Sequence, residues 1–453
     1  MKMMTKPSLP SAIKRLITGL KHLQPIGLRV CTLGLLVVTV SACSTNPVTG
    51  KRQLSFMSPQ QEVALGEKNY KPYQQQQGGQ YQVDPGVTRY VQRVGQKLAA
   101  VSDRKDLPYE FAVLNNDVPN AWALPGGKIA INRGLLVLLE SEAELAAVLG
   151  HEIVHAAAKH GAQQQTQGTL LGIGAFALGA ATQQSAYRDL IATGTQIGAG
   201  AWQARYSRSH ELEADAYGIE YMVAAGYDPE GAVDLQEKFL ALKGGQKSNM
   251  LDSWFATHPP SEERVARNKE LAAQYGRVGK MGESDYRKQM AQLIKDQPAY
   301  DSNTQALAAA KEGNMDLAES LVSKAIRMQP KEGLFYITQG QLALSNKNTA
   351  AAQKSFSKAV SLNPNYFQGH LFRGVAAYQS KDFNTAENAL EKSLGILPTQ
   401  PGAFYLGEIK NQKGDKQTAL QLYNFAAQSG GELGQVAQQR AAALGSTTQA
   451  TAN

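Results

Sequence analysis

Cysteine is almost absent from this chain: only Cys31 and Cys43 occur among 453 residues. Both lie near the N-terminus, so no disulfide framework staples the body of the chain. Acidic residues are missing from positions 1–42, which carry Lys2, Lys6, Lys14, Arg15, Lys21 and Arg29. Those six cations make up most of the basic excess. Beyond them 40 cations face 38 acids, which gives no case for nucleic-acid binding. Two apolar stretches, Val30–Val40 and Gly168–Ala181, both fall short of the ~20 residues of a bilayer-spanning helix. The length and a hydrophobic fraction of 43% predict two or three domains with at least one sizeable core.

The N-terminus reads as an export signal. A cationic segment ends at Arg29, the apolar run "VCTLGLLVVTV" follows, and "SAC" closes it at Cys43. "VSAC" resembles a bacterial lipobox, which makes residues 1–42 a lipoprotein signal peptide and Cys43 the lipidated first residue. Ser44, rather than Asp, follows it, the pattern that resembles proteins sent on to the outer membrane. The polar, Pro- and Gly-bearing residues 43–57 read as a tether.

Residues 58–285 are expected to form the first domain. Ser58 and Ser141 read as N-caps, the second with Glu144 three residues on as a capping box. Residues 86–101 read as an amphipathic helix and 109–116 as a strand. The turn signal Pro125-Gly126-Gly127 is followed by "KIAIN", which alternates like a strand. Between about 161 and 204 the chain is rich in Gly, Ala and Gln. Two readings stand there, a loosely packed hairpin or a mobile lid across 168–200. Beyond 300 a period of 34 appears: Pro330, Pro364 and Pro398; Ala318, Ala352 and Ala386; Gly340 and Gly374. Small residues let paired helices approach and the proline ends each pair, so residues 300–435 resemble tetratricopeptide repeats stacked as an α-solenoid. Residues 440–453 read as a disordered tail.

The chemistry is concentrated in "LGHEIVHAAAKHG". His151 and His155 are four apart, so they lie about 40° apart on a helix and share a face. Glu152 sits on the same rim. Two imidazoles and a carboxylate in the order HExxH suit two metal ligands and a base for a metal-bound water. His160 lies about 180° from His151 on a continuous helix, and the helix-favouring "AAAK" precedes it. It therefore reads as a helix C-terminal residue outside the site. Downstream, "SRSHELEADAYGIEYM" carries Glu211 and Asp215 on one face, while Glu213 points elsewhere. Glu211 would be the third ligand and Asp215 the acceptor for the outer N–H of a ligand histidine. His210 and His22 carry no role.

HExxH on one helix and ExxxD on a later one is the gluzincin arrangement. Together with "NAWALPGG" and "THPPSEERV", these motifs resemble the peptidase family of the HtpX heat-shock and CAAX prenyl proteases, in its periplasmic, repeat-bearing type that enhances β-barrel assembly. The resemblance implies a mainly α fold with a small β-sheet, an HExxH metallopeptidase domain followed by the solenoid, and one Zn²⁺ per chain. It implies that Glu152 acts as general base and that His258 either stabilises the oxyanion or caps the metal as a resting ligand. It also implies a substrate strand added along "GKIAINR". Function would then be quality control of unfolded or misassembled outer-membrane proteins. The repeats would recruit substrate or the β-barrel assembly machinery, in a periplasmic protein anchored to the outer membrane by the Cys43 lipid. The other reading is a chaperone-like adaptor whose peptidase is gated and largely latent.

Overall fold

The computed structural model describes residues 43–168, 206–243 and 248–450. The leader expected over 1–42 and nearly all of the hairpin or lid expected over 168–200 lie outside the described residues. Among the described residues no helix is long and apolar enough to cross a membrane.

The expected tether is a docked hairpin. Strands β1 (Cys43–Thr45) and β2 (Arg52–Leu54) pair antiparallel. Asn46 closes the turn, its Oδ1 accepting from the Val48 and Thr49 N–H groups at 2.9 and 3.3 Å. The hairpin is fastened to the domain by Gln53 Nε2, which donates to the Ala158 carbonyl, and by the Phe56 N–H, which donates to Thr166 Oγ1.

Helix α1 (Pro59–Gln76) starts at the expected Ser58, which exchanges hydrogen bonds with Gln61. Its Glu62 is not a solvated first-turn acid. It is buried against Arg104 (2.7 Å) and Lys159 (3.0 Å). Helix α2 (Pro85–Ala99) packs an apolar face of Val87, Val91, Val94 and Leu98 into the main core.

The sheet consists of β3 (Glu110–Leu114), β4 (Ala121–Leu124) and β5 (Lys128–Asn132) in the order β3-β5-β4. Gly126 and Gly127, at φ of 78° and 80°, make the tight reversal between β4 and β5 that other residues resist. This order overturns the expected role of "GKIAINR". β5 is the central strand, paired parallel with β3 and antiparallel with β4, so it offers no ladder to a substrate. The strand read from the K-I-A-I-N alternation is there, and every residue of it is buried, with the Lys128 amine paired to Glu110. Among the described residues the edge strands are β3 and β4, and β4 packs against the HExxH helix.

After a short α3 (Arg133–Leu136) comes α4 (Glu142–Ala157), buried along its whole length. Ser141 caps it as expected, accepting from the Glu144 N–H at 3.0 Å. The reciprocal arm differs: the Glu144 carboxylate accepts from the Glu140 N–H and from Lys238. Helices α5 (Arg208–Ala224) and α6 (Glu230–Lys243) pack on α4, α7 (Ser248–Thr257) packs on α6, and α8 (Glu262–Tyr275) packs on α5 and α6.

A single 29-residue helix, α9 (Glu283–Lys311), removes the boundary expected between 285 and 300. Its Tyr286, Met290 and Leu293 belong to the core of the first domain, whereas Ala306 and Ala309 belong to the first repeat. The pairs continue with α10 (Met315–Met328), α11 (Gly333–Ser345), α12 (Thr349–Leu362), α13 (Phe367–Gln379), α14 (Phe383–Ile396), α15 (Gln400–Gln412) and α16 (Lys416–Ala427). The 34-residue period has a structural cause. A Cβ on Gly340 would lie 2.4 Å from the Phe356 ring, and one on Gly374 2.6 Å from Leu390. Asn314, Asn348, Asp382 and Asp415 each cap the second helix of a pair.

The expected disordered tail is instead helical as far as it is described. Helix α17 (Gly431–Ala450) lays Ala437, Ala441 and Leu444 on Phe404 and Tyr423 of the α15–α16 pair, covering its apolar surface. The solenoid is joined to the first domain through buried polar contacts. Glu332 accepts from Asn115 Nδ2 (3.0 Å) and from the Tyr300 hydroxyl (2.5 Å), and the Arg133 guanidinium lies 3.4 Å over the Tyr300 ring.

Candidate metal centre

Helices α4 and α5 meet where both carry glycine. A Cβ on Gly150 would lie 3.1 Å from the Gly218 carbonyl oxygen, and one on Gly218 3.1 Å from the His151 nitrogen. This close approach brings the His151/His155 face of α4 against the Glu211/Asp215 face of α5. His258 arrives from just after α7, its N–H bonded to the Trp254 carbonyl and its ring against the Trp254 indole.

His151, His155, Glu211 and His258 are all buried and offer donor atoms within 4.8 Å of one another. The individual separations are tighter. His151 Nε2 is 3.0 Å from His155 Nε2 and 3.2 Å from His258 Nδ1. Glu211 lies 3.5 Å from His151 Nε2, 3.4 Å from His155 Nε2 and 3.2 Å from His258 Nδ1. A tetrahedral zinc with bonds of 2.0–2.1 Å has donor–donor edges of about 3.3 Å. The nitrogen-and-oxygen donor set and these spacings both fit Zn²⁺. Facing ring nitrogens this close repel one another unless a proton or a cation lies between them.

His151, His155 and Glu211 form three corners of the cluster, and His258 stands at the fourth. Asp215 stands one step out: its Oδ1 accepts from His151 Nδ1–H at 2.9 Å, leaving Nε2 for the cluster, so it positions a ligand and does not touch the reacting centre. Glu152 is fully buried, neither carboxylate oxygen is hydrogen-bonded, and His258 Nε2 lies 3.5 Å away.

The electrostatics divide the acids. Burial raises the Glu152 carboxyl above its ordinary range, the direction a proton acceptor near neutrality needs. Burial acts the same way on Glu211, but the neighbouring His258 and His151 outweigh it and hold Glu211 well below that range. Asp215 is likewise held low, by Arg264. For His151, burial disfavours the charged form, and the Glu211 and Asp215 carboxylates overcome it, raising the group to about 9. His155 is driven the other way by burial, well below its ordinary value.

Residues 85–272 match Peptidase family M48, and residues 337–401 match the Tetratricopeptide repeat. It is 31% identical over 230 residues to "Mitochondrial metalloendopeptidase OMA1" of Schizosaccharomyces pombe, covering 49% of this chain and 65% of that protein. It is 30% identical over 240 residues to "Beta-barrel assembly-enhancing protease" of Escherichia coli, covering 51% of this chain and 48% of that protein. "Metalloprotease YcaL" of Escherichia coli is 29% identical over 185 residues, covering 41% of this chain and 70% of that protein. The chain thus spans less than two thirds of either of the first two relatives, 65% of one and 48% of the other.

Around the four-donor centre stand groups that the sequence left without a role. Arg264, in "SEERV", is buried and bridges both acids: Nε to Asp215 Oδ2 at 2.6 Å, Nη2 to Asp215 Oδ1 at 2.7 Å and Nη1 to Glu211 Oε2 at 3.0 Å. Two buried acids on α5 required a cation, and that requirement was the available signal. Tyr206 stacks on His155 with centroids 3.8 Å apart. The reading of His160 is overturned. Helix α4 ends at Ala157, Lys159 takes a left-handed φ of 64°, and residues 160–168 resume as helix in a new direction. His160 is thereby turned back toward the centre, its Nδ1 2.8 Å from His155 Nδ1. Glu213, away from the cluster as expected, meets His160 Nε2 at 3.2 Å.

Proposed function

We propose that this protein is a zinc-dependent endopeptidase of the bacterial periplasm, anchored to the outer membrane by a lipid on Cys43. It would degrade misfolded or stalled outer-membrane proteins. The observation that carries the peptidase reading is the buried four-donor cluster with the unpaired Glu152 carboxylate beside it. His151, His155 and Glu211 would hold the metal. When bound, zinc supplies a water acidified to a pKa of ~7 and a Lewis acid for the scissile carbonyl. Glu152 takes the proton of the attacking water on its carboxylate and delivers it to the leaving nitrogen. The β4 edge of the sheet, lying on α4, would accept an extended substrate as an added strand. Compact proteins cannot supply such a strand, so unfolded chains are favoured. The printed name "Beta-barrel assembly-enhancing protease" supports outer-membrane proteins as the substrate class, and the repeats supply the surface that recruits them or the β-barrel assembly machinery.

A second reading, a gated and largely latent peptidase on a chaperone-like adaptor, is favoured by one observation: His258 Nδ1 stands within the ligand set, where substrate must enter. Casein cleavage by the wild type and His258→Ala tests both. Cleavage by the wild type, lost on chelation and restored by zinc, supports the peptidase. Cleavage that emerges only in the alanine variant supports the latent form. No cleavage by either refutes the peptidase.

A further inference from the structure

The two histidines of α4 are supported differently. His151 Nδ1 meets a carboxylate directly, that of Asp215. His155 Nδ1 meets an imidazole, that of His160, at 2.8 Å. We propose that His160 and Glu213 are positioning residues that set the tautomer and orientation of His155, so that the second metal ligand depends on a two-member relay reaching out to the N-terminal hairpin.

Proton placement follows from the acceptor at the far end. Ionised Glu213 can only accept, so the proton of a neutral His160 sits on Nε2 and donates to Glu213 Oε1, 3.2 Å away. His160 Nδ1 then carries a lone pair. That lone pair accepts from His155 Nδ1–H, which leaves the His155 Nε2 lone pair directed into the cluster. The relay thus presets the one neutral tautomer that can bind a metal through Nε2. Glu213 is itself held by Asn46 Nδ2, which donates to Oε1 at 2.7 Å from the turn of the β1–β2 hairpin.

The surroundings fix the rings. His160 is completely buried and stacks on His210, centroids 4.1 Å apart at 14°, while His155 stacks on Tyr206. The left-handed Lys159 that turns His160 inward is tied to buried Glu62 by its amine at 3.0 Å. A histidine serving only to end a helix would need none of these contacts.

The proposal rests on the zinc-centre reading, and its test separates the two. Zinc affinity of the purified chain is measured by chelator competition for the wild type, His160→Ala, His160→Asn and Glu213→Ala, with circular dichroism of the stripped forms as the folding check. Outer hydrogen-bond partners of metal-bound histidines contribute about 10–100-fold in affinity. His160→Ala and Glu213→Ala are expected to weaken zinc binding in that range. His160→Asn, whose side-chain oxygen can accept from His155 Nδ1–H, is expected to recover most of it, and the cobalt-substituted absorption spectrum should follow the same order. Wild-type affinity in His160→Ala, or no recovery in His160→Asn, overturns the relay. If the wild type itself binds no zinc, the metal centre fails and the relay with it.

Discussion

Arg264 bridges two buried carboxylates beside the metal centre, and its removal is a sharp stability test. The guanidinium is 3% exposed, with the two carboxylates it bridges at 7% (Asp215) and 1% (Glu211). In Arg264→Ala, three short contacts vanish and two buried acids lose their shared cation. Breaking a buried ion pair from one side costs about 3–5 kcal/mol. At ~2–4 °C per kcal/mol for a domain of this size, the unfolding midpoint should fall by about 6–20 °C. Arg264→Lys should fall between, since one ammonium cannot span both acids. The loss should be larger in chelator-stripped protein, where no metal shares the Glu211 charge. Acid dependence gives an independent check. Arg264 holds the Asp215 carboxyl below its ordinary 3.8, so the stabilisation is fully present above that value and is lost as pH falls through the lower folded one. The difference between wild type and Arg264→Ala, followed by denaturant titration from pH 7 to pH 3, should therefore shrink at the acid end. A difference below about 1 kcal/mol at pH 7, or one unchanged at pH 3, would refute the reasoning.

Other positions give further outcomes. Gly340→Ala places a Cβ 2.4 Å from the Phe356 ring and should cost about 1–3 kcal/mol, read by chemical denaturation of the chain. Lys381, at φ 62°, precedes the Asp382 cap where the last pair has Gly414, so Lys381→Gly should gain about 1 kcal/mol by the same measurement. Glu332→Ala leaves Asn115 and Tyr300 without their shared acceptor and should cost about 2–5 kcal/mol, with protease cleavage appearing between the two domains.

What the sequence made legible was local. Spacing on a single helix identified His151, Glu152 and His155, and again Glu211 with Asp215, because helical geometry fixes faces without tertiary knowledge. The repeats were legible for a similar reason, since one small-residue contact recurs every 34 positions. What escaped depended on distant partners. His160 was misplaced because a single left-handed residue, Lys159, redirects the chain, and the acid that holds Lys159 is Glu62 on another helix. The strand 128–132 was placed at an edge by the family resemblance alone, because strand order rests on pairing with β3 and β4 that no local pattern encodes. Arg264 stood unassigned in "SEERV" because only the fold shows which cation answers two buried acids. Residues 43–57 looked like a tether because their anchors, Ala158 and Thr166, lie far along the chain.

The central claim is that the cluster on α4 and α5 is a zinc peptidase centre with Glu152 as its base. The most direct measurement is bound zinc, by native mass spectrometry, together with casein cleavage for the wild type and Glu152→Gln. One zinc per chain in both, with cleavage falling by about 10²–10⁴-fold in the glutamine variant, is the predicted result. Zinc absent from the wild type, or cleavage undiminished in Glu152→Gln, would contradict it.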